Sequence, residues 1–286
     1  MNCAVIAAAL LVAAVKPAGP VQTEHRRSPY VGAIAIEAPS GRVLLSDNAT
    51  RECYPASCTK LMTARLLLKA MKAGRVRRDE RLAQSRVSAA EQPSKIDLLP
   101  GETIGVDDAL TALMLKSAND VAVIIAERLA GSVQEFAKVM NAEAKALGML
   151  DTVFVSPNGL PPPPGSKRGF DRSTAVDLAK LANAMLKEQP EILSYTRRAS
   201  ATVPGRKGAP LTLQNHNKFL WKKGVKMAEV DGLKTGYIDA GGSSIVLTGT
   251  RRGKRAIVVV VGSSTSAERE AAAGRMLQDA LGAIAW

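Results

Sequence analysis

The chain has 286 residues, 46% of them hydrophobic, and sets 39 Lys and Arg against 26 Asp and Glu for a formal charge of +13. This composition excludes a disordered polymer and supplies apolar surface for one large domain or two small ones. Excess positive charge attracts anionic polymers in general. The basic clusters at 75–78 and 251–255, however, come without interleaved aromatics or zinc-finger spacing, so no nucleic acid partner is expected. With two histidines, His25 and His216, and no Cys-x-x-Cys, neither a metal nor another cofactor is expected.

Residues 3–15, CAVIAAALLVAAV, form an apolar run followed by a polar, Pro-containing stretch up to Pro29. The run is too short to span a bilayer and resembles the hydrophobic region of a secretory signal, although no Lys or Arg precedes it. The alternative is a buried N-terminal helix. We take 1–28 as signal peptide and extension, and 29–286 as one catalytic domain. Of the three cysteines, Cys53 and Cys58 then remain, and their spacing does not say whether they pair.

Two apolar runs, YVGAIAIEA and RVLLSD, flank Pro39-Ser40-Gly41 and predict a β-hairpin at 30–46. From Ser57 to Lys72, Leu61, Met62, Leu66, Leu67, Leu68 and Met71 recur at helical intervals, which puts Ser57 near a helix N-terminus. Residues 107–188 read as mostly helical, with Gly131 and Gly148 as stops and Ser132 and Ser173 as starts. An interruption at 117–119 and a Pro loop at 161–164 break this stretch. After residue 200 the pattern turns to strands, ATVPG, PLTLQNHN, VDGLKTGYI, SSIVLTGT and AIVVVVGSS, before a closing amphipathic helix. The fold class is α+β, an antiparallel sheet that combines both termini, flanked by helices, with a mostly helical subdomain.

Ser57-Cys58-Thr59-Lys60 places a hydroxyl and an amine three residues apart on one helix face. A serine attacks only when a base takes its proton, and a lysine is that base only when burial or a second cation lowers its pKa. By itself the motif also reads as an N-cap serine with an exposed lysine. Lys234-Thr235-Gly236 on a predicted strand adds a cation and a hydroxyl suited to a carboxylate, with a glycine that permits close approach of substrate. It also reads as an exposed lysine on an edge strand. Ser-x-Asn occurs three times, at 46–48, 117–119 and 156–158. Position favours Ser117 and Asn119, between two helices, as proton relay and amide ligand, with a simple helix cap as the alternative.

These motifs in their order, with PASCTKLMTA, LMLKSANDVAVIIAE and VDGLKTGYIDAGG around them, and with SPNGLP and NHNKFLW, resemble the D-alanyl-D-alanine carboxypeptidases among the low-molecular-mass penicillin-binding proteins. The resemblance implies a serine β-lactamase/DD-peptidase-like fold. It implies Ser57 as nucleophile, Lys60 as base and Ser117 as relay. Asn119, Lys234, Thr235, Gly236, Tyr237 and Arg269 would bind substrate, and the backbone N–H groups of Ser57 and Tyr237 would form an oxyanion hole. Arg269 also reads as a helix-surface arginine. Implied partners are peptidoglycan stem peptides, with β-lactams as covalent inhibitors, and the implied location is exported, periplasmic or extracytoplasmic.

Cys58 departs from the larger apolar residue usual at that place. Many relatives carry a C-terminal β domain and an amphipathic anchor; no transmembrane anchor is evident here, and a soluble exported enzyme is expected. Three rival functions share the motifs: an endopeptidase cleaving D-alanyl cross-links, a serine β-lactamase, and a non-catalytic wall-binding or penicillin-sensing module. A β-lactamase needs fast deacylation, and the loop from Val155 to Asp171 lacks the glutamate that supplies it in one class.

Overall fold

A computed structural model describes residues 29–163 and 165–284, so the leader expected at 1–28 lies outside the described residues. The chain opens with β1 (Gly32–Ala38) and β2 (Val43–Asp47), the hairpin expected around Pro39–Gly41, with Ala33 opposite Asp47. A 3-10 turn at Ala56–Thr59 leads into α1 (Lys60–Lys72). Next, β3 (Arg81–Ala83) pairs with β4 (Thr103–Gly105), and the short helix α2 (Arg86–Ala89) lies between them in sequence. No apolar period marks that stretch.

Helices α3 (Val106–Leu115), α4 (Asn119–Ala130), α5 (Val133–Ala146), α6 (Ala175–Glu188) and α7 (Leu193–Thr196) form the helical subdomain. Gly131 ends α4 at φ +79° and Ser132 caps α5 as expected. For α6 the cap is Thr174, which accepts from the Asp177 N–H at 3.1 Å. The neighbouring Ser173 hydroxyl is instead paired with that of Thr152 at 2.9 Å.

β5 (Ser200–Pro204) and β6 (Pro210–Gln214) form a two-stranded sheet of their own, not part of the main sheet as the run of strand-like segments suggested. Asn215 turns the chain away: its Nδ2 donates to Thr196 O and Arg198 O, at 3.0 and 2.9 Å. The chain ends with β7 (Val230–Ile238), β8 (Gly242–Arg251), β9 (Lys254–Ser263) and α8 (Ser266–Ile284).

The main sheet runs β2-β1-β9-β8-β7, antiparallel throughout, so the first and last segments of the domain pair at its centre. Its faces are covered by different layers. Ala256, Val258 and Val260 pack with Leu277 and Leu281 of α8, whereas Ile257, Val259 and Val261 join the core under the helical subdomain. Because both faces are dry, β9 reads as an unbroken apolar run rather than an alternating one. Each such fully buried Val or Leu contributes about 1.5–3 kcal/mol.

Helix α1 is buried nearly all round, which is why its apolar residues do not form a single stripe. Its Arg65, 2% exposed, donates to Glu143 Oε1 at 2.8 Å and Glu188 Oε2 at 2.7 Å.

Candidate active site

The nucleophile candidate sits on the 3-10 turn before α1, gripped by two glycines. A Cβ on Gly159 would lie 1.9 Å from Ala56 O, and one on Gly236 would lie 2.9 Å from Pro55 O and 3.0 Å from Ser57 N. Gly159 has φ +80° besides, so only glycine fits there. At Gly236 the missing side chain admits the turn that carries the nucleophile candidate. Ala56 itself is held at φ +49°, left-handed strain of a kind that concentrates at functional sites.

Asp171, 3% exposed, ties the turn to the loop beneath it. It accepts from Thr59 Oγ1 at 3.1 Å, Ser156 Oγ at 2.7 Å and the N–H groups of Val155 and Ser156 at 2.6 and 2.9 Å.

Lys60 begins α1 and is fully buried. Its Nζ lies 2.9 Å from Ser57 Oγ, 2.7 Å from Asn119 Oδ1 and 2.7 Å from Asn158 O. The last two only accept, so they take two N–H bonds. The third direction faces the hydroxyl, which can accept from an ammonium or donate to a neutral amine. Burial, with the Lys234 cation second, pushes the Lys60 pKa well below its usual value, and Glu91 and Asp171 oppose this.

Lys234 is 1% exposed, its Nζ donating to Thr235 O at 2.9 Å. Burial, helped by the Arg269 cation and opposed by Cys58, lowers it to about 8. Lys234 does lie on an edge strand, β7, but neither lysine is exposed, so the exposed-lysine alternatives fail for both. Both amines lie beneath the cleft floor.

Ser117, at φ +62°, joins α3 to α4, and the residue that caps α4 is Ala118, without a side-chain bond. The Ser117 hydroxyl is buried and has no hydrogen-bond partner, so the helix-cap alternative fails too. Asn119 is fixed at both ends: Nδ2 donates to Gln92 O at 2.9 Å, which turns Oδ1 toward Lys60. Among the described residues its Nδ2 makes no other hydrogen bond.

A cleft of about 390 Å³ opens above these groups, lined by Ser57, Ser117, Asn119, Thr235, Gly236, Tyr237 and Arg269. Arg269, in the first turn of α8, is 5% exposed rather than on the helix surface. Its Nη2 pairs with Glu270 Oε1 at 2.7 Å, while its Nε has no partner. Tyr237 is 60% exposed at the rim.

The sequence reading missed two residues here. Asn158 belongs to the third Ser-x-Asn, set aside on position, yet its backbone carbonyl holds Lys60, a role that no side-chain motif signals. His216 lines the cleft, and burial with the nearby Lys234, Lys116 and Lys60 lowers it to about 4, so it is neutral. Cys53 and Cys58 are separate, buried thiols, raised by burial to about 12 and about 11. Cys58 packs behind the turn with Sγ 3.7 Å from Lys234 O.

A D-alanyl-D-alanine carboxypeptidase called DacF from Bacillus subtilis is 34% identical over 245 residues, 86% of this chain and 60% of the relative. A Salmonella typhimurium relative, DacD, is 32% identical over 86% of this chain and 61% of its own length. The chain thus spans about three fifths of the length of these curated relatives. Penicillin-binding protein D2 of Listeria monocytogenes, solved in a cefotaxime-bound form, superposes with a TM-score of 0.77 at 32% identity, over 90% of this chain and 99% of that one. The sequence profile described as D-alanyl-D-alanine carboxypeptidase matches residues 23–265, and the chain belongs to that family.

Proposed function

We propose that this protein is a serine-type D-Ala-D-Ala carboxypeptidase that removes the terminal D-alanine of peptidoglycan stem peptides, and that penicillins acylate the same serine. The observation that carries the reading is the environment of Lys60. With two N–H bonds held by Asn119 and Asn158, the neutral amine aims its lone pair at the Ser57 hydroxyl 2.9 Å away.

Ser57 Oγ attacks the carbonyl carbon of the penultimate D-alanine as its proton passes to Lys60. The N–H groups of Ser57 and Tyr237 stabilise the oxyanion. The C–N bond then breaks, and the departing amine takes its proton from Lys60 by way of Ser117, whose unpaired hydroxyl suits a relay. Water attacks the resulting ester, gives a proton to Lys60 and releases the product acid, and Ser57 recovers its own. Thr235, Arg269 and the buried charge of Lys234 attract the substrate's terminal carboxylate, and Asn119 holds its amide. A substrate in the cell wall places the enzyme outside the cytoplasm. Among the described residues no helix is long and apolar enough to cross a membrane.

Intact mass spectrometry after incubation with penicillin tests the reading. A lasting adduct that disappears in Ser57→Ala, together with free D-alanine released from pentapeptide, supports it. Rapid penicillin turnover without an adduct points to a β-lactamase, and loss of dimeric muropeptides without release of D-alanine points to an endopeptidase.

A further inference from the structure

The loop after α2 reaches the base from behind. Asn158, 2% exposed, donates its Nδ2 to Glu91 Oε2 at 3.0 Å and accepts the Leu160 N–H on Oδ1 at 3.0 Å. A carboxylate only accepts and an N–H only donates, so the amide is held in one orientation. The carbonyl of the same Asn158 takes one N–H of Lys60, and the carbonyl of the next loop residue, Gln92, holds Asn119, which takes another. Consecutive residues 91 and 92 therefore secure both acceptors that aim the Lys60 amine.

We propose that Glu91 is a positioning residue for Lys60: through Asn158 it fixes the direction of the amine, and its negative charge sets how easily that amine holds a proton. The proposal rests on the acyl-enzyme reading above and deepens it. Glu91 does not touch the cleft, so it acts through Asn158 and through its field.

The charged and titratable groups facing Lys60 are Lys234 from β7, Glu91 from the loop, Asp171 from the segment before α6, and the protonated Cys58 thiol from the turn; His216 also lies within electrostatic reach. Those facing Glu91 are Lys60, Arg168 and Asp120. In that set Glu91 and Asp171 favour the ammonium and Lys234 opposes it. Asp171 is spoken for by four hydrogen bonds to the turn and its loop, so Glu91 is the carboxylate whose charge can be removed with least disturbance.

The pH profile of Ser57 acylation by a penicillin, measured for the wild type, Glu91→Gln and Glu91→Ala with melting curves alongside, tests the idea. Gln keeps an acceptor for Asn158 but no charge. Its plateau rate should stay near wild type, while the acid limb, where Lys60 becomes protonated, moves to lower pH. Ala also removes the acceptor, so its plateau should fall about tenfold or more as the amine loses its aim. A wild-type acid limb in Glu91→Gln, or a wild-type plateau in Glu91→Ala, overturns the proposal, as does lowered melting in both variants with no change in profile. Should Glu91→Ala fail to fold, the Glu91→Gln limb decides. Absence of acylation in the wild type itself would sink the carboxypeptidase reading and this proposal with it.

Discussion

Replacing Gly236 with alanine should damage catalysis more than folding. The new methyl would stand 2.9 Å from Pro55 O, 3.0 Å from Ser57 N and 3.2 Å from Ala56 Cβ, all on the nucleophile's turn. Relief requires about 0.5 Å of movement, since an ordinary carbon–oxygen contact is roughly 3.4 Å or more. The strand is the stiffer partner, because Thr235, Gly236 and Tyr237 are paired to Ile245, Ser244 and Ser243 of β8. The turn therefore yields and carries Ser57 away from Lys60 and from the proposed oxyanion site.

Overpacking of this kind costs about 1–3 kcal/mol, and a displacement of this order at a reacting atom lowers the rate by roughly ten- to a hundredfold. Thermal melting and the second-order rate of penicillin acylation measure the two effects separately. Gly282→Ala, where nothing lies within 4 Å of the new methyl, serves as control and should match the wild type in acylation. A Gly236→Ala enzyme that acylates at the wild-type rate would refute the argument that this glycine seats the nucleophile.

Ser117→Ala removes a hydroxyl with no partner in the fold, so melting should change by less than about 0.5 kcal/mol while turnover falls roughly a hundredfold or more; equal losses in both would make the residue structural. Lys234, lowered to about 8, has given up its proton above that pH while the unfolded chain keeps one up to about 10.4, so stability should rise from pH 8 to 9 by on the order of 1 kcal/mol. From about pH 9 upward the buried thiols of Cys53 and Cys58, raised to about 12 and about 11, stay protonated only in the fold and flatten the rise. Penicillin binding should weaken across the same window as the cation is lost, and chemical unfolding of Lys234→Met against wild type checks the sign: an undiminished rise in the variant rejects it. Glu143→Ala leaves Arg65, 2% exposed, with Glu188 alone and should cost about 3 kcal/mol, or roughly 6–12 °C of melting temperature, without slowing acylation per folded molecule; unchanged melting would mean that water replaces the lost partner.

What the sequence revealed follows from the range of the interactions involved. The hairpin at 32–47 and helices α3 to α6 announce themselves through local periodicity and caps, and a slip of one residue, as at Ser173 and Thr174, is the usual scale of error for such signals. The segment from Arg81 to Gly105 carries no period because its three-residue strands and one-turn helix are fixed by contacts such as Asp120 Oδ2 with the N–H groups of Ile96 and Asp97. Glu91 and Gln92 lie inside it, so the support behind Lys60 was invisible. Ser57, Lys60 and Lys234 stood out as candidates because their chemistry is written in side chains at fixed spacing, and the fold brings Lys60 Nζ to 2.9 Å from Ser57 Oγ. The contribution of Asn158 is a backbone carbonyl, which any residue possesses and no motif distinguishes.

The two lysines explain why neither could be exchanged for another cation. On the proposed mechanism Lys60 has to be neutral to accept a proton, and Lys234 has to be charged to repel one from Lys60 and to draw a carboxylate. Both are buried, so burial alone would push both toward neutrality. What separates them is their neighbours: the Lys234 cation opposes a proton on Lys60, whereas at Lys234 Cys58 works against the fall and the repulsion comes from Arg269, itself paired with Glu270 at 2.7 Å. An arginine in place of Lys60 would stay protonated under every condition and could not act as base. In place of Lys234 it would keep the charge, but its planar fork does not fit a pocket closed at 1% exposure around a single amine. On the proposed mechanism the pair works through unequal surroundings imposed on identical side chains.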